Sequence, residues 1–481
     1  YSADSAAQSI TLTANSSGTT SGTATGGGGT DNFTGLESII GSSGSDTLTD
    51  GITADNTLTL TGANQGSLDA FNFSGIENIA LADGDDTALF TAGDSLSGTL
   101  TGGDGTADHL DYSSYGSAVT VNLATGAATA VFSGISGGIS GFESVSGSSA
   151  NDTITASTSD INNLQGNGGN DTFNIQADAL TTNDTIDGGD GSADQLTITT
   201  AGTLTDAQFT NATTLEQLNL TGASTLTAAA EVQQSGITTI TTGSGATTIN
   251  NNGNDYDPSV DATALANDTS LTLTTGGGSA SSNDFTVTNL VGDVDASSSS
   301  GTLDITTADN TVDNDISITS GSGATSVSGS GSNDTITVNA TSLADNTSLT
   351  LSGSSDQVVT GLQGDISATS LSGTLDVTTV DVGDGSATIT TGSANTTVTG
   401  TGSSDTLTIE AEAMADNTSL TLDGASAFDV NNLEANVDGS GATGSLDLAF
   451  GNIGDGSATI TTGTAATTVS GSSGDDTLTT D

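Results

Sequence analysis

A repeat of 71 residues constrains the fold of this chain more than any other feature of its sequence. Residues 315–321, Asp-Ile-Ser-Ile-Thr-Ser-Gly, return as Ser-Ala-Thr-Ile-Thr-Thr-Gly at residues 386–392 and at 457–463, so the step is 71 residues each time. The turn sequence that begins at Ala344 lies about 78 residues after its counterpart at Ala266. A fixed period with one polar turn before each strand is typical of stacked units that cannot bury an apolar face alone.

The segments between these turns alternate apolar residues with Thr, Ser and Asn, as in Val-Thr-Val-Asn-Leu at residues 119–123. Such alternation is typical of short, half-buried strands. We therefore predict an all-β protein, a β-solenoid of the parallel β-helix or β-roll type built from ~71-residue repeats. Each repeat would supply about three coils of roughly 20 to 25 residues, and some 20 coils at about 4.8 Å each would form an elongated rod.

The regularity of the pattern changes along the chain and predicts three parts. Residues 1–30 combine a strand at residues 9–13 with a tether rich in Gly, Ser and Thr. Residues 31–230 form an irregular β region with early versions of the repeat, and residues 231–481 hold the regular repeats of about 71 to 78 residues.

The charge of the chain limits its partners. It has 58 acidic residues, no Lys or Arg and a formal net charge of −58, so we expect a salty or calcium-containing medium that relieves the repulsion. A uniformly negative field opposes binding to nucleic acid and to anionic membranes.

The longest apolar runs are too short for membrane insertion. Because the sequence opens at Tyr1 without a basic, apolar leader, we expect a processed, secreted form.

A short corner motif, apolar-Glu-polar-apolar, recurs four times and holds half of the eight Glu residues. Its apolar residues stand three apart and so do not alternate as they would in a strand. We predict a corner between strands in which the carboxylate caps backbone N–H groups of the next turn. The four residues concerned are Glu37, Glu77, Glu143 and Glu216.

Turns rich in Gly and Asp are the strongest candidates for binding chemistry. Residues 102–110 (Gly-Gly-Asp-Gly-Thr-Ala-Asp-His-Leu) and 188–196 are near copies 86 residues apart, and residues 166–173 are close to both. Glycine permits left-handed turn geometry and exposes carbonyl oxygens, while the following Asp adds a carboxylate near the same point.

These stretches resemble the Gly-Gly-x-Gly-x-Asp-x-apolar-x nonapeptide of the RTX calcium-binding proteins that bacteria secrete. Residues 142–154 resemble an element of large members of that group, and residues 295–305, 373–377 and 444–448 are similar to repeats of RTX-type surface-layer proteins. The resemblance extends over most of the chain from about residue 33. It departs from the family pattern in that the nonapeptides stand singly rather than in tandem, and two carry one extra residue before the last Asp.

The resemblance implies calcium (Ca²⁺) as the bound ion and assigns candidate ligands, each of which is alternatively a plain turn residue. The glycine-rich turns supply Asp104, Asp108, Gly166, Gly168, Asp171, Asp190 and Asp194. Turns in which Ser replaces glycines supply Asp46, Asp152, Asp334, Asp405 and Asp476.

We expect a structural protein rather than an enzyme. Paired carboxylates could perform acid–base chemistry, but no Lys or Arg is present to stabilise developing negative charge, and His109 lies inside a Gly-Asp turn. The leading hypothesis is an extracellular bacterial subunit that self-assembles, with calcium, into a cell-surface filament or surface layer. The alternative is a stalk segment of a giant RTX-like adhesin. Self-association would join the N-terminal strand of one copy to the open C-terminal coil of another.

Overall fold

The computed structural model of this chain is all-β, with 52% of residues in strands and 2% in helices. Stacked parallel coils form a β-solenoid of about 17 turns, so the predicted fold class is confirmed, with fewer coils than the 20 expected. The structure describes residues 5–14, 20–131, 138–252, 255–276, 283–309, 315–381, 385–451, 457–471 and 477–480. The candidate ligand Asp476 lies outside these residues.

The chain forms two compact units. Unit 1 comprises Tyr1–Thr221 and Glu231–Ile237, and unit 2 comprises Gly222–Ala230 and Thr238–Asp481. Helical structure in the described ranges amounts to a 3-10 turn, Asp206–Phe209, and one short α-helix, α1 (Ala230–Gln234). Within the same ranges, no helix is long and apolar enough to cross a membrane.

The described residues of unit 1 contain 24 strands, most of them three to six residues long. They are β1 (Ser9–Ala14), β2 (Ser21–Gly26), β3 (Gly29–Thr34), β4 (Ser38–Ile40), β5 (Thr47–Asp50), β6 (Thr57–Gly62), β7 (Gln65–Leu68), β8 (Phe71–Ser74), β9 (Asn78–Ala80), β10 (Thr87–Thr91), β11 (Leu100–Thr101), β12 (His109–Ser114), β13 (Thr120–Asn122), β14 (Ala127–Ala128), β15 (Ile139–Ser140), β16 (Ser144–Ser146), β17 (Thr153–Thr155), β18 (Asn163–Gln165), β19 (Thr172–Ile175), β20 (Thr185–Asp187), β21 (Gln195–Ile198), β22 (Gly202–Leu204), β23 (Ala212–Thr213) and β24 (Gln217–Leu220).

Parallel pairing between successive coils dominates unit 1. One series of paired strands runs β1-β5-β9-β11-β15, a second runs β6-β10-β12-β16-β18-β20-β23, and a third runs β13-β17-β19-β21-β24. In each pair the apolar positions stack on one another, as Ile154 does on Phe173 and Phe173 on Leu196. All three side chains are fully buried, so the period-2 pattern of the strands builds the core directly.

The N-terminal strands form antiparallel caps that differ from the predicted tether. Strand β1 pairs in parallel with β5 and in antiparallel fashion with β2, and β2 pairs with β3. Ala24 of β2 is buried, so the alternating Thr and Ala of this segment form a strand instead of a flexible linker over residues 20–30. Both edges of β1 are therefore occupied within its own chain, and β1 is not the free connector that the sequence predicted.

The described residues of unit 2 contain 25 strands, most of them five to seven residues long. They are β25 (Ser224–Ala228), β26 (Thr239–Thr241), β27 (Thr247–Asn251), β28 (Ser259–Asp261), β29 (Ser270–Thr275), β30 (Phe285–Leu290), β31 (Asp293–Ser298), β32 (Leu303–Thr307), β33 (Asp315–Thr319), β34 (Thr325–Gly329), β35 (Thr335–Asn339), β36 (Ser348–Gly353), β37 (Asp356–Leu362), β38 (Asp365–Leu371), β39 (Leu375–Thr379), β40 (Ser386–Thr390), β41 (Thr396–Gly400), β42 (Thr406–Glu410), β43 (Ser419–Gly424), β44 (Ala427–Leu433), β45 (Asn436–Ala442), β46 (Leu446–Phe450), β47 (Ser457–Thr462), β48 (Thr467–Ser470) and β49 (Thr477–Thr480).

Each coil of unit 2 contributes one strand to each of two parallel sheets. Strands β26 to β48 with even numbers pair successively in one sheet, and strands β25 to β49 with odd numbers pair in the other. In β35, for example, Ile336 and Val338 are fully buried while Thr335 and Thr337 lie partly exposed. The two sheets therefore enclose one apolar core along the stack.

The 71-residue repeat corresponds to three and a half coils, because it contains seven strands. The segment that forms β33 in the odd sheet forms β40 in the even sheet one repeat later and returns to the odd sheet as β47. The sequence predicted about three coils per repeat. Consecutive repeats consequently place the same residues on opposite sheets, and the arrangement is restored only after two repeats.

Candidate functional site: the carboxylate rows of unit 1

Most predicted ligand residues of unit 1 stand immediately before a strand and are buried. The side chains of Asp46, Asp108, Asp152, Asp171 and Asp194 are at most 2% exposed. Because successive coils are in register, these residues stack into rows. We define row 1 as Asp46 and Glu77, row 2 as Asp86, Asp108 and Glu143, and row 3 as Asp152, Asp171, Asp194 and Glu216.

Row 3 shows the geometry most completely. The backbone N–H of Asp152 donates to Oδ1 of Asp171, and the N–H of Asp171 donates to Oδ1 of Asp194, both at 2.7 Å. The N–H of Val119 begins the row by donating to Oδ1 of Asp152 at 2.7 Å. Each carboxylate thus caps the backbone of the preceding coil at the point where its strand begins.

Rows 1 and 2 repeat the arrangement. In row 2, the N–H of Asn56 donates to Asp86 Oδ1 and the N–H of Asp86 donates to Asp108 Oδ1, both at 2.7 Å. In row 1, the N–H of Gln8 donates to Asp46 Oδ1 at 2.6 Å. The three rows therefore supply a charged acceptor to strand starts that would otherwise leave an N–H unpaired.

A Glu of the corner motif ends every row. The N–H groups of Asp46, Asp108 and Asp194 donate to the carboxylates of Glu77, Glu143 and Glu216 at 2.8, 3.0 and 2.8 Å. The prediction that these glutamates cap backbone N–H groups is thereby confirmed for three of the four motifs, but the capped group lies in the preceding coil and not in the next turn. The longer Glu side chain reaches the N–H of the last Asp in each row, where the next coil has no Asp in register to accept it.

The second carboxylate oxygen divides the buried candidates of unit 1 into two classes. In the Ser-containing turns of this unit it is satisfied locally: Oδ2 of Asp152 accepts the N–H of Ser148 at 2.5 Å, and Oδ2 of Asp46 accepts the N–H of Ser42. The Ser148 hydroxyl adds a bond of 3.1 Å to Asp152 Oδ1. These two carboxylates therefore have a protein donor at each oxygen.

In the glycine-rich turns the second oxygen is left without a donor. Oδ2 of Asp108, Asp171 and Asp194 is buried and makes no hydrogen bond within the described residues, and the same holds for Asp86. The Asp171 carboxylate packs directly beneath Gly166, where any Cβ would overlap Asp171 Oδ2 and the Gly188 carbonyl oxygen. The glycine is needed because it leaves room for the inward-folded carboxylate.

Burial raises the pKa of these carboxyl groups above the usual range of aspartate. The pKa of Asp86 and of Asp171 is raised to about 6, chiefly by loss of hydration, with a smaller contribution from neighbouring carboxylates. Burial likewise raises the pKa of Asp108 and Asp194. Hydrogen bonds from backbone N–H groups oppose the shift without cancelling it.

The remaining candidates lie in different surroundings. Asp104 and Asp190 are exposed at turn tips, with Asp190 exchanging backbone hydrogen bonds with Asn167 and Gly169 of the preceding coil. In unit 2, Asp334 and Asp405 are 2% exposed and lie before equivalent strands of opposite sheets. Each packs beneath a glycine, Gly331 and Gly402 respectively.

Stacked turns of unit 1 form an open groove of about 510 Å³ beside row 3. Its polar lining comes from Asn151, Asn170, Asp190 and Ser192. Asn151 Oδ1 accepts the N–H of Asn170 at 2.9 Å, and Asn170 Oδ1 accepts the N–H of Ser192 at 3.1 Å. Asp190 is the one carboxylate of this lining, so the groove offers mainly neutral oxygens.

The structure does not gather the candidate carboxylates into a compact cluster. Over the described ranges, no group of three or more His, Cys, Asp and Glu side chains is placed to hold a metal ion. His109 opens β12 with its Nε2 2.9 Å from the Ser146 hydroxyl, and burial lowers the pKa of its ring.

Sequence reasoning missed Asp86 as a member of row 2. Its turn has the sequence Gly-Asp-Asp-Thr, which shares the Asp-Thr strand start of Asp152 and Asp171 but lacks the surrounding glycine pattern. The position of an Asp directly before a Thr-led strand is the signal that could have identified it.

Comparison with models of known protein families gives no match, and comparison with curated proteins gives none either.

Proposed function

We propose that this chain is an extracellular structural protein, a self-assembling subunit of a bacterial cell-surface filament or surface layer that calcium stabilises. The observation that carries the proposal is the unbroken series of parallel pairings through the repeats of unit 2. From β33 onward each strand pairs with the strand one coil away, and most side chains between the sheets are apolar. Such an array is built by repetition around a continuous core and resists local opening.

The glycine-rich turns of unit 1 are the best-supported calcium sites within this proposal. Asp108, Asp171 and Asp194 each hold a buried oxygen that has no protein donor in the described residues. Calcium prefers six to eight oxygen ligands from carboxylates, carbonyls and water. The residues fit such an ion in donor type, with the stacked turn carbonyls and Asn side chains as the neutral donors. Bound calcium would supply positive charge that the chain itself lacks.

The net charge of −58 supports an extracellular setting. Sites built from few carboxylates bind calcium weakly, in the range of about 10⁻⁴ to 10⁻³ M that is typical of extracellular modules. A medium with millimolar calcium would both fill such sites and screen the remaining charge. The solenoid fold is compatible with RTX-like β-roll proteins, and we propose that relationship together with secretion.

Electron microscopy of the purified protein with millimolar calcium and with excess EGTA tests the proposal. The expected result is filaments or ordered sheets with calcium and their loss or shortening with EGTA. Dispersed single particles in both conditions would exclude a self-assembling subunit.

A stalk segment of a giant RTX-like adhesin is the second candidate, because tandem coils also suit a spacer between distant domains. The intact mass of the chain isolated from its native source distinguishes the two. A mass near 46.4 kDa favours the subunit, and a far larger mass favours the stalk.

A further inference from the structure

The repeats of unit 2 contain one exposed turn three times in the same conformation. Its sequence is Leu-Ala-Asn-Asp-Thr-Ser at residues 265–270, Leu-Ala-Asp-Asn-Thr-Ser at 343–348 and Met-Ala-Asp-Asn-Thr-Ser at 414–419. In each copy the N–H of the Thr donates to the carbonyl of the Ala three residues earlier, at 3.1, 3.0 and 3.1 Å. The residue before the Thr has a positive φ, 57° at Asp268, 57° at Asn346 and 62° at Asn417. A turn of this geometry favours Gly or Asn at that position.

Asn346 and Asn417 also begin the sequence Asn-Thr-Ser, which has the form Asn-x-Ser/Thr. This form is the acceptor sequence for N-linked glycosylation of secreted proteins. The form alone does not distinguish sites in a chain so rich in Asn, Ser and Thr, because it occurs 13 times among the described residues. The surroundings of each Asn therefore decide which of these sequences can react.

Burial of the middle residue separates the 13 sequences. In nine of them the residue between the Asn and the hydroxyl residue is buried in the stack, as Asp171 and Ala340 are. Neighbouring coils hold the backbone there, so it cannot enter the cleft of an enzyme without local unfolding. The middle residue is at least partly exposed in the other four, which begin at Asn32, Asn267, Asn346 and Asn417.

The surroundings of the Asn side chain separate the remaining four. Asn32 lies within the paired strand β3, and Asn267 Oδ1 accepts the N–H of Asp268 at 3.0 Å. Asn346 and Asn417 are exposed, and their side-chain amides make no hydrogen bond with the described residues. Two sequences thus combine an exposed turn, an open middle residue and a free amide.

We propose that Asn346 and Asn417 are sites of N-linked glycosylation. In this reaction Nδ2 bonds to the anomeric carbon of a sugar, the bond from that carbon to a lipid diphosphate breaks, and Nδ2 loses one proton. The lipid diphosphate is the leaving group, and an oligosaccharyltransferase catalyses the transfer. The inference rests on the proposed extracellular location, because this modification belongs to exported chains.

The two sites lie at opposite edges of unit 2. Asn346 is in the turn from β35 to β36, which leads from the odd sheet to the even one. Asn417 is in the turn from β42 to β43, which leads from the even sheet to the odd one. Glycans are bulky and hydrophilic, so they would cover both edges and leave the faces of the two sheets uncovered.

Peptide mapping by mass spectrometry of the full chain from its native source tests the proposal. An Asp-specific protease is suitable, because the chain has no Lys or Arg for trypsin. The expected result is a glycan mass on the peptides with Asn346 and Asn417, and none on those with Asn339 and Asn395, whose middle residues Ala340 and Thr396 are buried. Unmodified Asn346 and Asn417 in material that forms filaments would overturn this inference and leave the proposed function standing.

Substitutions in the full chain, produced in the native host, separate the acceptor sequence from the turn. Ser348→Ala destroys the acceptor sequence and should remove the glycan from Asn346 alone, while Thr347→Ala preserves the sequence and should leave both glycans. Asp268→Asn completes Asn-Thr-Ser in the third turn, which has the same conformation, and should add one glycan. A glycan retained on Asn346 in Ser348→Ala, or none gained in Asp268→Asn, would overturn the assignment.

A cell-free reaction tests the same sites independently of location. The folded chain, produced without sugar, is incubated with an oligosaccharyltransferase specific for Asn-x-Ser/Thr and a lipid-linked oligosaccharide. It should gain two glycans, at Asn346 and Asn417, while chymotryptic peptides of the same chain should also accept sugar at Asn339 and Asn395. Modification of Asn339 in the folded chain to the same extent as in the peptides would show that burial does not select the sites, and would overturn the inference.

Discussion

The backbone N–H of Asp171 donates a 2.7 Å hydrogen bond to the carboxylate of Asp194, one coil further along the chain. Both side chains are at most 1% exposed, and each has a second oxygen without a protein donor in the described residues. The aspartates of the glycine-rich turns are thus structural acceptors on one side and unsatisfied anions on the other. Protons, cations and substitutions should act on unit 1 through this second oxygen.

Stability of unit 1 should fall as the pH rises through 6. Burial raises the pKa of Asp171 from 3.8 to about 6, so between these values the folded state binds a proton that the unfolded state has lost. The stabilisation is fully present below pH 3.8 and is lost as the pH rises through about 6. Melting curves in EGTA from pH 4 to 8 should therefore show the midpoint decreasing by a few degrees.

The variant Asp171→Asn should flatten this pH dependence, since the amide does not ionise. Asp178→Asn, at an exposed position of the same unit, removes the same formal charge. It should leave the slope of melting midpoint against pH as in the wild type. Equal slopes for the wild type and both variants would show that Asp171 does not titrate in this range.

Gly166→Ala should destabilise unit 1 by about 1–3 kcal/mol, because the new Cβ would overlap Asp171 Oδ2 and the Gly188 carbonyl. Gly168→Ala is the matched control two residues away, where the nearest atom to a new Cβ, the Asp190 carbonyl oxygen, is 3.7 Å distant. Urea denaturation of the two variants measures the difference. A similar loss at both positions would indicate a general cost of replacing turn glycines.

Gln357→Phe should stabilise unit 2 by about 1–2 kcal/mol. Gln357 is 1% exposed, and its Oε1 has no hydrogen-bond partner in the described part of the chain. One repeat later the equivalent residue is Phe428, packed between Leu407 and Leu446, whereas Gln357 lies between Ile336 and Leu375. Chemical denaturation should show a higher midpoint, and a lower one would mean that the two coils differ in available volume.

Calcium should raise the melting temperature at fixed ionic strength, because an ion that binds only the folded state adds RT ln(1 + [L]/Kd) to its stability. The double substitution Asp171→Asn with Asp194→Asn should reduce that increase. The matched double substitution Asp46→Asn with Asp152→Asn should reduce it less, since both oxygens of each of these aspartates already accept protein hydrogen bonds. Identical midpoints for the wild type in calcium and in EGTA would leave screening as the only effect of ions.

Much of the fold could be read from the sequence because its signals are local. Alternation in Thr-Ile-Thr-Val-Asn at residues 335–339 predicts a half-buried strand, and the structure has β35 there. The finding that equivalent strands of consecutive repeats lie in opposite sheets was not predictable in the same way. The period gives the number of residues in a repeat but not the number of strands. That number depends on the lengths of the turns, such as the short turn between β37 and β38.

The candidate site was predicted in position but not in geometry. Glycine followed by aspartate marked the turns at Asp108, Asp171 and Asp194, yet a carboxylate in such a turn can face solvent or fold inward. The choice depends on the N–H of a residue about 20 positions away, as between Asp152 and Asp171. Only the register of stacked coils brings these groups together. For the same reason the sequence identified β1 as a strand without identifying β2 and β5 as its partners.

Static light scattering in millimolar calcium shows directly whether the chain self-assembles. Self-assembly predicts that the weight-average mass rises from 46.4 kDa without a plateau as protein concentration increases. A wild-type mass that remains at 46.4 kDa, or that stops at a dimer, at every concentration would contradict it.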